Sequence, residues 1–260
     1  MRTLKRLLGM GLAVYLGFGA YLFAFQESLM YHPPRAGGLD GAQTLRIGSD
    51  GETINVWRFN PGAPHALIYF GGNAEAVAYQ GDDFTTLLPH ATAYLVDYRG
   101  YGASTGEPSE AAFYRDALAV YDAIEGRYDA VHVVGRSLGT GVATYLASRR
   151  PVDRLVLVTP YDSVAEVAAA LYPAYPVSLM LRERYDSLSR AADLTARTLV
   201  VLAGQDRVVP PEHGRRLAAA MRPDLVSVHE IPEASHYDVM DRPSYRDALR
   251  VFLGPSRQTP

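Results

Sequence analysis

Cysteine is absent from this 260-residue chain. Disulfides, thiolate zinc sites and cysteine nucleophiles are therefore excluded together, while the redox compartment is left open. A charge excess is also missing: 25 Lys and Arg stand against 28 Asp and Glu, for a formal net charge of -3. No basic face broad enough to grip a phosphate backbone is expected, so nucleic acid is not an expected partner. Long runs of like charge and internal repeats are lacking too. What the chain does have is 48% hydrophobic residues, enough to bury the core of one catalytic domain. Any side-chain nucleophile must be oxygen.

The N-terminus departs from a soluble pattern. Arg2, Lys5 and Arg6 precede an uncharged, largely apolar run from Leu7 to Phe25. At about 1.5 Å per residue this run covers roughly 28 Å, close to the hydrocarbon thickness of a bilayer. It has no polar face to turn toward water, which argues against a core helix. A cleaved signal peptide is the competing reading, but bulky Tyr21, Leu22, Phe23 and Phe25 crowd the place where small residues would mark cleavage. Residues 1–30 are read as an uncleaved single-pass anchor and 31–260 as the catalytic domain. The flanking positive charge puts the N-terminus in the cytoplasm and the domain across the membrane, on the periplasmic side in a bacterium.

After the link HPPRAGGLDG, extended segments at Thr44–Ile47 and Thr53–Phe59 flank the turn signal Ser49-Asp50-Gly51 and predict a hairpin. Short apolar runs then alternate with helical patterns. HALIYF, ATAYLVDY, AVHVVG, RLVLVT, TLVVLA and LVSVHEI are the strand candidates. Helices are expected at Ala76–Leu88, Ser109–Glu125, Leu138–Arg149, Pro211–Met221 and Pro243–Phe252, with Ser109 and Pro211 in good starting positions. Strands apolar on successive residues suit burial on both faces, and the alternation predicts an α/β fold around a mostly parallel sheet. Residues 161–196, broken by Pro173 and Pro176, are too long for a simple crossover; they form either a small cap or extra scaffold helices.

Gly135-Arg136-Ser137-Leu138-Gly139 fits G-x-S-x-G between a buried strand and a helix. That context turns a common pattern into a candidate nucleophile elbow, with Ser137 Oγ projecting at a helix N-terminus. A serine hydroxyl needs a base, and the base needs an orienting acid. Asp206 stands just past the strand TLVVLA and His236 in a loop past LVSVHEI. Of seven histidines, His32 adjoins the anchor, His65 opens a strand, His90 follows Pro89, His132 and His229 lie within strands, and His213 starts a helix; His236 alone has the required loop position. Asp162, Asp238 and Asp241 are rivals to Asp206 as the acid. The turn Gly71-Gly72-Asn73-Ala74 after HALIYF offers the second half of an oxyanion hole, its donors being the main-chain N–H groups of Asn73 and Leu138.

With FQESLMYHP, YFGGNAE, LVDYRGYGASTGEPSE, VVGRSLGTGVA, PYDSV, LAGQDRVVP and ASHYDV in this order, the chain resembles the membrane-anchored members of the α/β-hydrolase superfamily. That group is related to the yeast bud-emergence protein, palmitoyl-protein thioesterases and lysophospholipid or monoacylglycerol lipases. The resemblance implies the α/β-hydrolase fold and hydrolysis of acyl esters or thioesters, lipids among them, through an acyl-enzyme without metal or organic cofactor. Amide cleavage by the same residues, or a hydrolase-fold scaffold without turnover, are the other readings. The loop Asp97–Glu110 reads as structural, with Asp97 and Arg99 tying it down. One departure is visible, since relatives carry His-Gly-Asn where this chain has Gly71-Gly72-Asn73.

Overall fold

The computed structural model describes residues 1–34 and 42–254; most of the link HPPRAGGLDG lies outside them. Eight strands form one sheet: β1 (Gln43–Ser49), β2 (Glu52–Phe59), β3 (His65–Phe70), β4 (Ala91–Val96), β5 (Ala130–Arg136), β6 (Arg154–Val158), β7 (Arg197–Ala203) and β8 (Val226–Ile231). Their spatial order is β1-β2-β4-β3-β5-β6-β7-β8. β1 pairs antiparallel with β2, and β2 with β4; every later pairing is parallel. The expected hairpin forms because Asp50 and Gly51 both take positive φ, 51° and 81°, as a two-residue turn matched to strand twist requires.

The helices are α1 (Arg2–Ala24), α2 (Gln26–Met30), α3 (Gly81–Leu87), α4 (Glu110–Ile124), α5 (Leu138–Ala147), α6 (Val164–Leu171), α7 (Val177–Met180), α8 (Pro211–Ala219) and α9 (Pro243–Leu253). Strand alternation sorts the core into two layers. Ile68, Phe70, Val133, Leu155 and Leu157 face one side, where Phe113 and Val120 of α4, Val142 and Leu146 of α5 and Leu217 of α8 cover them. Leu67, Tyr69, Val134, Val156 and Val201 face the other, under Phe84 of α3 and Tyr245, Leu249 and Leu253 of α9. Burying one such aliphatic side chain contributes about 1.5–3 kcal/mol.

Caps set the helix starts. Ser109 Oγ accepts from Ala112 N at 3.2 Å, and Ser163 Oγ from Glu166 N at 3.0 Å. The helix expected over Ala76–Leu88 is shorter: Val77–Gln80 is a 3₁₀ turn, and α3 begins only at Gly81, against whose backbone the Phe59 ring lies. Between β6 and β7 the long insertion holds α6, α7 and a 3₁₀ turn at Leu188–Asp193. Its middle packs on α1, where the Tyr15 and Tyr175 rings stack with centroids 4.6 Å apart. Among the described residues α1 is the one helix long and apolar enough to cross a membrane, and Gly19 is its buried residue.

Candidate active site

All the parallel strands point their C-terminal ends to one edge of the sheet, and the candidate residues leave from those ends. β5 stops at Arg136 and α5 starts at Leu138, so Ser137 alone makes the reversal. Its φ of 48° and ψ of -115° are strained for a residue with a Cβ. Ser137 N donates to Val158 O at 2.9 Å, and Thr140 Oγ1 donates to Ser137 O at 2.6 Å, which fixes the turn. The two flanking glycines are sterically required. A Cβ on Gly135 would come within 2.5 Å of Gly139 O, and one on Gly139 within 2.1 Å of Phe70 O.

β7 delivers Asp206 and β8 delivers His236 to the same edge. His236 Nδ1 lies 2.7 Å from Asp206 Oδ2, and His236 Nε2 lies 2.9 Å from Ser137 Oγ. Asp206 and His236 are buried. Asp206 Oδ1 accepts from Val208 N and Val209 N, both at 2.8 Å, so the carboxylate is fixed with its other oxygen facing the imidazole. A carboxylate at Nδ1 holds the ring proton there and leaves Nε2 free to accept from the serine hydroxyl. The rival acids are engaged elsewhere. Asp162 accepts from Arg216 and faces His213 Nδ1 at 2.7 Å, while Asp238 accepts from Ser235 N, Ser235 Oγ and Arg242. Asp241 sits in a 3₁₀ turn after the histidine loop.

Opposite the elbow stands the turn after β3. Among the described residues the main-chain N–H groups of Asn73 and Leu138 donate no hydrogen bond to the protein, which leaves them available to a substrate oxygen. Gly71 has its carbonyl held by Tyr98 OH at 2.8 Å. The Asn73 side chain is tied on both sides. Nδ2 donates to Met30 O at 2.6 Å, and Oδ1 accepts from His32 N at 3.1 Å and from Tyr101 OH at 2.8 Å. The main chain of His32, next to α2, thus reaches the turn after β3.

Two further residues escaped the sequence reading. Glu75 Oε2 accepts from Gly72 N at 2.6 Å and from Arg136 NH1 at 2.9 Å, and its Oε1 accepts from Tyr69 OH at 2.7 Å. Arg136 NH2 donates to His236 O at 3.3 Å. Burial alone would lower the Arg136 pKa, but the charge and hydrogen bond of Glu75, with lesser help from nearby tyrosines, hold it above its ordinary value. This pair joins the elbow, the turn after β3 and the histidine loop. Its only signals in sequence were the x of G-x-S-x-G and the last letter of YFGGNAE.

The other polar clusters lie elsewhere or do structural work. Asp97 Oδ2 accepts from Asn55, Trp57 and Ala103 N, and Arg99 grips Asp116 and Ser49 O, pinning the long loop after β4. His65, His90 and His132 meet at the opposite end of the sheet, where burial and the positive groups around it depress the His132 pKa to about 3. Among the described residues no three of His, Asp and Glu are grouped to hold a metal ion.

Comparison with known proteins agrees with this architecture. The profile of the alpha/beta hydrolase fold matches residues 65–181. An uncharacterized protein of Mycobacterium tuberculosis H37Rv is 33% identical over 90% of this chain and 89% of its own. The alpha/beta hydrolase domain-containing protein WAV2 of Arabidopsis thaliana is 28% identical over 87% and 88%. Lysophosphatidylserine lipase ABHD12 of Macaca fascicularis is 30% identical over 74% of this chain, which spans 56% of that longer protein. Among solved structures, the Pyrococcus furiosus esterase Pf2001 superposes with a TM-score of 0.70 at 16% identity, covering 85% of this chain and 98% of the esterase. The sheet order, the elbow and these relatives together make the chain a hydrolase-like member of the alpha/beta hydrolase fold family.

Proposed function

We propose that this protein is a membrane-anchored serine hydrolase that cleaves acyl esters or thioesters, with Ser137 as nucleophile, His236 as general base and Asp206 as the group that orients it. The observation that carries the reading is the continuous relay of 2.7 Å from Asp206 to His236 and 2.9 Å from His236 to Ser137. His236 Nε2 takes the hydroxyl proton as Oγ attacks the acyl carbon. The carbonyl π electrons move to oxygen, which the N–H groups of Asn73 and Leu138 receive. As the tetrahedral centre collapses, the bond to the leaving alcohol or thiol breaks, and the imidazolium returns its proton to that group. Water, deprotonated by the same nitrogen, then attacks the acyl carbon; as that tetrahedral centre collapses the bond to Ser137 Oγ breaks, the imidazolium returns its proton to Oγ, and the acid leaves. None of these steps calls on a metal or organic cofactor.

Residues 1–30 act as the anchor and 31–260 as the catalytic domain on the non-cytoplasmic side. The charge pattern at the N-terminus and the length of α1 support this placement. A lipid-like acyl substrate is supported by the anchor and by the likeness to a lysophosphatidylserine lipase.

A fluorophosphonate probe tests the nucleophile. Wild-type protein should label and Ser137→Ala should not; wild-type protein that never labels would favour a scaffold without turnover. Rates on short and long p-nitrophenyl esters, a thioester and a peptide amide then define the bond cleaved, and preference for the amide would overturn the ester and thioester reading.

A further inference from the structure

The insertion between β6 and β7 carries eleven consecutive uncharged residues, Leu171-Tyr172-Pro173-Ala174-Tyr175-Pro176-Val177-Ser178-Leu179-Met180-Leu181, ended by Arg182-Glu183-Arg184. This stretch does not fold back over the sheet. It runs along α1 in the same direction, Tyr175 lying by Tyr15, Met180 by Gly19 and Arg182 by Phe23. Arg182 Cζ lies 4.7 Å from the centre of the Phe23 ring, and Arg182 N donates to Gln26 Oε1 at 2.8 Å. Further along α1, the Met180 methyl comes near Gly19. Further still, Tyr175 stacks on Tyr15, donates to Tyr15 O at 2.9 Å, and neighbours Ala174, whose carbonyl accepts from Tyr15 OH at 2.7 Å. Gly19 makes room for this, since a Cβ there would come within 2.8 Å of the Tyr175 ring.

The depth follows from helix geometry. Tyr15 is ten residues from Phe25, the last residue of the apolar run, or about 15 Å along the axis, which is half of a hydrocarbon core about 30 Å thick. If α1 crosses the bilayer, whatever stacks on Tyr15 sits near its midplane. We infer that residues 171–181 are a second membrane-embedded element, a re-entrant segment immersed in the hydrocarbon of the leaflet on the catalytic side. The inference rests on the reading of α1 as a membrane span, but not on the assignment of the nucleophile.

Three independent features fit hydrocarbon and not water. Leu171 is 66% and Leu179 84% exposed to solvent in the isolated protein, a placement that costs free energy in water and none among lipid tails. Irregular backbone is tolerated at membrane depth only where its polar groups are satisfied. Here the N–H groups of Tyr172, Tyr175, Val177, Leu179, Met180 and Leu181 donate to nearby carbonyls, and Pro173 and Pro176 have no N–H to satisfy, so that most of the backbone is paired and, among the described residues, only the N–H groups of Ala174 and Ser178 lack a protein acceptor. Finally, an apolar cavity of about 280 Å³ lies between the segment and the end of the anchor, walled by Leu22, Leu29, Val167, Leu171, Val177 and Met180. Such a wall offers water too few partners to hold it, and acyl tails fill it without that cost. Arg182 marks where the segment leaves the membrane, its guanidinium lying over the Phe23 ring with NH1 3.8 Å from Glu27.

The absence of cysteine makes the test clean, since one introduced cysteine takes one label. Full-length Leu179→Cys, with Tyr172→Cys as a second position on the same segment, would carry bimane in phosphatidylcholine and phosphatidylglycerol vesicles containing doxyl-labelled lipid. Leu12→Cys in α1 and Arg127→Cys on the far side of the domain are the references. We expect both segment probes to be quenched at least half as strongly as the Leu12→Cys probe, with Arg127→Cys unquenched. Quenching no greater than at Arg127→Cys, together with free reaction of the segment cysteines with a membrane-impermeant maleimide, would overturn the inference while leaving the anchor intact. Failure to quench Leu12→Cys as well would overturn both, and fluorophosphonate labelling of Ser137 in the same samples would still report on the hydrolase reading separately.

Discussion

Replacing Glu75 by glutamine tests whether the Glu75–Arg136 pair positions the chemistry or merely packs beneath it. Both side chains are largely buried, 8% and 16% exposed, at 2.9 Å separation. The amide can still accept from Gly72 N, but it carries no charge to balance the guanidinium. Removing one partner of a buried pair costs about 3–5 kcal/mol. Because the amide oxygen remains and Arg136 keeps its bond to His236 O, the lower end applies, about 3 kcal/mol. For a domain of this size each kcal/mol moves Tm by about 2–4 °C, so a fall of roughly 6–12 °C is expected in a thermal melt of the detergent-solubilised chain. Turnover of p-nitrophenyl butyrate should fall as well, by about 10- to 100-fold in kcat, as expected for displacement of a catalytic group by a fraction of an ångström to one ångström. The double variant Glu75→Leu, Arg136→Leu separates the two effects. An apolar pair of similar volume is often neutral for stability, so Tm should largely recover while kcat stays low. Recovery of both would show the pair to be structural only, and an unchanged Tm in Glu75→Gln would refute the claim that Arg136 depends on it.

Ser137→Gly should melt about 2–4 °C above Ser137→Ala, since removing Cβ at φ 48° releases on the order of 1 kcal/mol of backbone strain net of the added chain entropy; equal melting points would mean the elbow is not strained. Asp206→Asn keeps a partner for the Val208 and Val209 N–H groups yet loses the carboxylate at His236, so kcat on p-nitrophenyl butyrate should drop about 10⁴-fold, and a drop below tenfold would reassign the acid. His132 binds its proton less readily folded, with its pKa lowered from 6.5 to about 3. The unfolded chain therefore gains a proton first as pH falls, and urea stability should decline from about pH 6.5 downward by at most about 1.4 kcal/mol per pH unit. His132→Asn should flatten that decline, and an identical slope in the variant would remove His132 as its source.

Local rules carried the sequence reading where one segment alone determines the outcome. The six strand runs, the turn at Asp50-Gly51 and the Ser109 cap each depend on neighbours within a few residues, and the structure has them within one or two positions, although the edge strand β8 is largely exposed where burial on both faces is expected. Ser137, His236 and Asp206 could be placed together because each follows the end of a strand, and parallel strands send those ends to one edge. Glu75 and Arg136 obey no such rule. In sequence they are two ordinary charges 61 residues apart, and only the pairing of Phe70 with Gly135 across β3 and β5 brings them side by side. The place of His32 is hidden for a related reason: its position beside α1 carries no signal of the site, yet α2 turns the chain so that Met30 O and His32 N reach the Asn73 side chain.

That last contact links two parts of the molecule that sequence treats as separate. The side chain beside one candidate oxyanion donor is held from both ends by the segment that follows α1, through Met30 O and His32 N, and from the domain by Tyr101 OH. Met30 also lines the apolar cavity against the insertion. A shift of α2 relative to the sheet would therefore move the Asn73 turn and reshape the cavity in one motion. Residues 26–32 are part of the wall behind the Asn73 turn, so under the proposed function the placement of α1 and the alignment of the candidate donor are set by the same few residues.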